Sequence, residues 1–178
     1  VANAGALGTT GIVTTVNATT SLEEATGITF DRPIALMNGG TVAGLGAATS
    51  NGVISINAAA ISVTLATGSG SDVLTLGNAA NDLTGGTTTT VIGVAGPGAV
   101  RLAVASDFDG SWDIPAGRLE LGVAGALGDQ PTSSVTLSGG TLSGRGSSGL
   151  VFTGPASNLL LTANSSIHRS IFNERTTQ

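Results

Sequence analysis

Residues Arg118–Gly146 read RLELGVAGALGDQPTSSVTLSGGTLSGRG, and this stretch decides how the rest of the chain is interpreted. Arg118-Leu119-Glu120-Leu121 alternates polar and apolar residues, the period of a half-buried strand. Val135-Thr136-Leu137 and Thr141-Leu142-Ser143 do the same on either side of a Gly139-Gly140 turn. Between them, Ala124-Gly125-Ala126-Leu127-Gly128 is a glycine-punctuated bend. A broken copy stands at the start of the chain. Gly5-Ala6-Leu7-Gly8 matches Gly125–Gly128 at an offset of 120 (125 − 5), and Gly40-Thr41-x-x-Gly44-x-Gly46 matches Gly140-Thr141-x-x-Gly144-x-Gly146 at an offset of 100 (140 − 40). The first copy therefore carries 20 extra residues within Thr9–Met37, the length of one coil of a solenoid.

Composition narrows the architecture. The chain has 178 residues, enough for one domain with a core, yet only 3% are aromatic and 10% charged. So few large side chains fit a narrow core lined by Val, Ile, Leu and Ala. Glycine is abundant at 28 residues but follows no collagen-like triplet, which assigns it to tight turns. Thr, Val, Ile, Ser and Gly dominate, so helix is not expected. Short alternating segments run through the middle: Val53–Ile56, Ile61–Leu65, Val73–Leu76, Val91–Val94 and Val100–Val104, then Leu150–Phe152 and Leu159–Thr162. No hairpin sequence of the Asn-Gly type recurs between paired strands, although Asn51-Gly52 is one candidate. Strands this short, at spacings of roughly ten, suit a sandwich, a barrel or a parallel β-helix. Repeats that stack like turns on a thin core favour the last. The fold expected is all-β: a single right-handed parallel β-solenoid over residues 1–178.

Charge excludes some partners. All six cations are arginines, at 32, 101, 118, 145, 169 and 175, and the net charge is −5. Without a basic patch to release counterions, neither nucleic acid nor an anionic membrane surface is an expected partner. No apolar run is long enough to span a bilayer as a helix. Cysteine is absent, which mildly favours a bacterial source for a surface protein. The chain begins at Val1 inside a repeat, as a processed product or a segment of something longer would.

Leu102–Gly146 resembles the passenger-associated transport repeat of bacterial autotransporters and related giant surface proteins. The matching residues are Ser106-Asp107-Phe108-Asp109-Gly110 as the turn, Gly117-Arg118-Leu119 as the strand that follows, Ala124–Gly128 as the bend and Gly139-Gly140-Thr141-Leu142 as the second turn. Phe108 replaces the family's aromatic, and aspartates replace its hydroxyl residues. The resemblance implies a right-handed parallel β-helix on a cell surface, with no catalytic residues in the motif itself.

Several residues merit a chemical reading. Asp107-x-Asp109-Gly110-x-x-Asp113 puts oxygen ligands at alternate positions around a glycine, as a calcium loop does. Arg118 stands where an EF-hand would need Glu, and the competing reading has these carboxylates accepting hydrogen bonds within their own turn. Thr67–Thr75 partly fits a calcium-binding nonapeptide centred on Asp72, but the next aspartate, Asp82, falls out of step and a plain Gly-Ser turn is favoured. Thr87–Thr90 reads as solvent-facing threonine in a strand. His168 is a single histidine with no triad or zinc partner, read as exposed or capping. Trp112 is a sugar platform if exposed, and otherwise packs over a solenoid edge. No catalytic residue, metal site or cofactor is assigned.

The expected function is structural: an extracellular or bacterial cell-surface stalk, adhesin passenger or filament building block without catalysis. Its partners would be neighbouring copies or adjoining solenoid segments stacked end to end, with a host or matrix surface as a further possibility. The alternatives are a carbohydrate-active β-helix enzyme, with Arg101 and Arg118 the cations near the aspartates, and a phage fibre segment.

Overall fold

The computed structural model describes residues 1–3, 7, 11–128, 134–144, 158–161 and 165–169. Most of the first Gly-Ala-Leu-Gly bend, Leu150–Phe152, Arg145, Gly146 and the polar end at 173–178 lie outside the described residues. The chain winds through successive coils. The first three contribute three strands each: β1 (Thr14–Val16), β2 (Ser21–Glu24) and β3 (Thr29–Phe30); β4 (Ile34–Leu36), β5 (Thr41–Gly44) and β6 (Ala47–Ser50); β7 (Ile54–Ile56), β8 (Ser62–Thr67) and β9 (Val73–Leu76). Two coils follow in which the first two faces fuse into one long strand: β10 (Leu83–Ala95) with β11 (Ala99–Leu102), and β12 (Asp107–Ile114) with β13 (Arg118–Leu121). The last described strands are β14 (Ser134–Leu137), β15 (Thr141–Gly144), β16 (Asn158–Leu161) and β17 (Ser166–Arg169).

All strand pairs among the described residues are parallel, and the pairing makes three stacked faces. Face one is β1-β4-β7 and the first halves of β10 and β12. Face two is β2-β5-β8, the second halves of β10 and β12, then β14 and β16. Face three is β3-β6-β9-β11-β13-β15-β17. This is the parallel β-solenoid read from the sequence, with no hairpin at Asn51-Gly52. There the chain turns a corner, and Asn51 Nδ2 donates to Asp31 Oδ1 of the coil below at 3.0 Å.

Coil length varies along the stack. Thr14 pairs with Ile34, Ser21 with Thr41 and Thr29 with Thr49, so the first step is 20 residues on every face, the length of the extra segment near the N-terminus. Later steps reach 29 residues (Ser62 to Val91) and fall to 19 (Ala99 to Arg118). The two sequence copies are not equivalent in space. Gly40–Gly44 feeds β5 on face two, whereas Gly140–Gly144 feeds β15 on face three. Each has the same pattern of burial, an outward residue then three buried ones, because a glycine corner followed by an alternating strand is a local solution usable on any face.

The interior is one continuous apolar column running from Val16 to Leu142, built mainly from Val, Ile, Leu and Ala. Its largest side chains are Trp112, Phe30 and Phe108, each almost wholly buried. The Phe108 and Trp112 rings meet edge to face, 5.7 Å apart at 78°. Trp112 lies inside the core rather than over an edge, and its Nε1 donates to the Leu127 carbonyl at 3.0 Å. The indole thus holds the Ala124–Gly128 bend onto the column, where Ala126 and Leu127 are buried.

Residues 106–110, read as a turn, instead lie within or just before β12, which runs straight through Gly110. In the register with β10, Gly86 lies opposite Asp109 and Val91 opposite Ser111. The four residues Thr87–Thr90 therefore bulge out against the single Gly110. A Cβ at Gly110 would sit 2.3 Å from Phe108 Cζ and 2.5 Å from the Thr90 carbonyl, so the glycine is there for interior space and not for a turn. The bulge corrects the reading of the threonines as well. Thr88 and Thr89 are exposed, but Thr90 is buried, its hydroxyl donating to the Ala60 carbonyl at 2.7 Å and accepting from Thr87 N at 3.0 Å.

Candidate functional site

The calcium candidates separate. Asp107, Asp109 and Asp113 alternate along the outside of β12, with Phe108, Gly110, Trp112 and Ile114 facing in. Side chains two residues apart on one strand stand about 6–7 Å from one another and do not converge on a common ion. Asp113 accepts a hydrogen bond from Ser138 Oγ at 2.8 Å. Asp72 closes its own loop: Oδ2 accepts from Gly68 N at 3.1 Å and Ser69 N at 2.8 Å, and Oδ1 accepts from Ser69 Oγ at 2.6 Å. The Ser69 hydroxyl bond is the main cause that holds the Asp72 carboxyl below the usual aspartate range. A ring of N–H donors is an anion's surrounding, the reverse of what a cation needs. Asp82 repeats the arrangement ten residues on, accepting from Asn78 N at 2.8 Å and Ala79 N at 2.7 Å. Among the described residues no three carboxylate or imidazole groups gather as metal ligands.

A polar groove lies elsewhere, on face three. The outward residues of successive strands stack in register: Thr75 of β9 against Arg101 of β11, Arg101 against Glu120 of β13, Glu120 against Ser143 of β15, and Ser143 against His168 of β17. A second outward row carries Arg118, Thr141 and Ser166. Parallel rungs stand about 4.8 Å apart, so side chains in one row touch. Glu120 is the hub. Arg101 Nε meets its Oε2 at 2.9 Å and Arg118 Nε meets its Oε1 at 2.8 Å. Glu120 is buried beneath them, while Arg118 keeps about half of its side chain exposed, at 48%.

The groove has a volume of about 710 Å³. Its floor is this side-chain array; its wall is Gly70 with the Pro97-Gly98 corner. The loop that carries Gly70 is closed on itself by the Asp72 carboxylate. Thr67 Oγ1 also accepts from Gly98 N at 2.9 Å, which ties the loop to the corner above. Arg101 and Arg118, grouped in the sequence with the β12 aspartates, belong instead to this face. His168 is exposed, as read, and lines the same groove.

Comparison with protein-family models, curated proteins and solved structures returns no match.

The groove could have been found from one signal. Gly98-Ala-Val-Arg101, Gly117-Arg-Leu-Glu120 and Gly140-Thr-Leu-Ser143 each put a polar residue three places after a corner glycine. Their unequal separations, 19 and then 23 residues, hide the common register from any fixed-period search.

Proposed function

We propose that the chain is a structural segment of an extracellular or bacterial cell-surface protein: a stalk, adhesin passenger or filament building block that carries out no catalysis. One observation carries this reading. The apolar column and the parallel ladders continue from coil to coil without a break, which makes a stiff rod whose stability comes from neighbour-on-neighbour contacts. Its net charge of −5 and lack of lysine suit a displayed, soluble surface. The likeness of Leu102–Gly146 to the autotransporter passenger repeat points the same way.

The groove supports binding over hydrolysis. Glycoside hydrolysis uses two carboxyl groups, one of them held protonated as an acid. Glu120 is bracketed by two guanidinium groups, one at each carboxylate oxygen. It is the single carboxylate among the described lining residues. The placement is tested by labelling intact cells that carry the gene with an antibody against the folded chain, alongside brief protease treatment of those cells. Labelling of intact cells, lost on protease treatment, is expected. Labelling only after lysis overturns the surface placement.

A further inference from the structure

From the face-three groove we infer a binding site for a carboxylated polysaccharide, a polymer containing uronic acid residues. The inference rests on the geometry of this face and goes beyond the rod-like role proposed above.

Charge comes first. Of the arginines whose side chains are described, Arg32 is buried, and the two that reach solvent, Arg101 and Arg118, stand side by side here against one carboxylate. The chain as a whole is acidic, so this face is a local positive site on a negative molecule. Arg101 gives its Nε–H to Glu120 Oε2, Arg118 Nε lies 2.8 Å from Glu120 Oε1, and both guanidinium groups line the groove. Glu120 therefore anchors both guanidinium groups at the groove, and a guanidinium held through its Nε keeps an Nη edge with which it can recognise a carboxylate in bidentate fashion. Asp72, on the loop that carries Gly70, spends its oxygens on N–H and O–H donors of that loop.

The rest of the lining selects a sugar over other anionic polymers. Thr141 and Ser143 supply hydroxyl groups on the next rung, and His168 lies on the one after. A peptide would look for an unpaired strand edge or an apolar anchor pocket. The centre of face three offers neither, since each of its strands is paired on both sides and the outward side chains are polar. A neutral glycan would look for an aromatic platform, and Trp112 is in the core. Two cations are too few to hold a nucleic acid by counterion release. An extended anionic sugar chain, with hydroxyls to match the threonine and serine row and carboxylates to match the arginines, fits the remainder.

The test is titration of the full chain with sodium polygalacturonate at low salt, followed by calorimetry or fluorescence anisotropy, with dextran and inorganic polyphosphate as controls. Binding to polygalacturonate that weakens as salt rises, no binding to dextran, and weaker binding to polyphosphate are expected. Arg118→Gln should reduce the affinity about tenfold or more, the worth of one charge-assisted hydrogen bond. Because Arg118 is half exposed, its variant should fold, and an unchanged circular dichroism spectrum verifies this; Thr141→Val, which keeps the side-chain shape, gives a second and smaller loss. No binding to polygalacturonate, equal binding to dextran or polyphosphate, or full affinity in the folded Arg118→Gln protein each overturns the inference.

Discussion

At the scale of single residues, Glu24 is an acid placed where water does not reach. It ends β2 with its side chain turned inward and fully buried, and neither of its oxygens nor Ser50 Oγ is hydrogen-bonded. Burial raises its pKa from 4.5 to about 7, only partly offset by the nearby Ser50 hydroxyl and the Val1 amine. The native state then holds a proton that the unfolded chain has released, so stability falls as pH rises from about 4.5 to about 7 and levels off above. A shift of this size is worth on the order of 3 kcal/mol. Glu24→Gln should flatten the pH dependence of the urea midpoint over that interval and raise it at pH 8. A variant as pH-sensitive as the parent would show that another group governs the slope. Asp72 works in the opposite sense: its lowered pKa stabilises the native state above the ordinary aspartate range, and that contribution disappears as pH falls through the folded value. Asp72→Asn is therefore expected to lower the midpoint at neutral pH and to match the parent in strong acid, measured on the same urea titrations. Because its oxygens are already taken by its own loop and the β12 aspartates stand apart, a chelator should leave the melting temperature within about two degrees. A fall of several degrees would reveal a bound cation.

At the scale of the element, β12 is the strand that shapes the middle of the stack. It joins faces one and two through one glycine where the coil below uses four threonines. Gly110→Ala would push a methyl group toward the Thr90 carbonyl, a main-chain atom that moves only with its ladder, and toward the Phe108 ring. The expected cost is about 1–3 kcal/mol, read as a lower chemical-denaturation midpoint. An unchanged midpoint would mean that the Thr87–Thr90 bulge yields freely. Trp112→Phe should cost less in volume but leaves the Leu127 carbonyl without its donor. How much of β12 was legible follows from this. Its alternation of Phe108, Trp112 and Ile114 with polar residues was visible in the sequence. The Asp-Gly pair nevertheless pointed to a turn, because glycine serves both tight turns and tight interiors, and local sequence does not say which.

At the scale of the whole molecule, stacking is the expectation to test. A solenoid's terminal rungs carry unpaired main-chain groups, which another copy or an adjoining segment would satisfy. Val1 pairs with Glu23 and Ala25 through its main-chain N and O, as a further rung on face two. β1, by contrast, is bordered by the exposed side chains of Ile12 and Val13. If copies join head to tail through such ends, the contact is heterologous and open, and it grows into a filament. Light scattering and electron microscopy on the isolated chain should show species that lengthen with concentration. A monodisperse monomer at high concentration, from a gene that encodes no adjoining solenoid, would remove both forms of the idea.

What the sequence determined by itself was the class of fold. Alternating apolar residues, glycine corners and scarce aromatics leave a thin core between short strands, and that follows from side-chain volume and the two-residue period alone. The 20-residue coil near the start could be measured there too, as the length by which one copy of the motif exceeds the other. The face each strand occupies was decided only in three dimensions, since coil length drifts between 19 and 29 residues and a fixed offset loses the register. The groove depended on that register. Arg101, Glu120, Ser143 and His168 are scattered along the chain and become neighbours only when parallel rungs bring every coil's outward residues into one row.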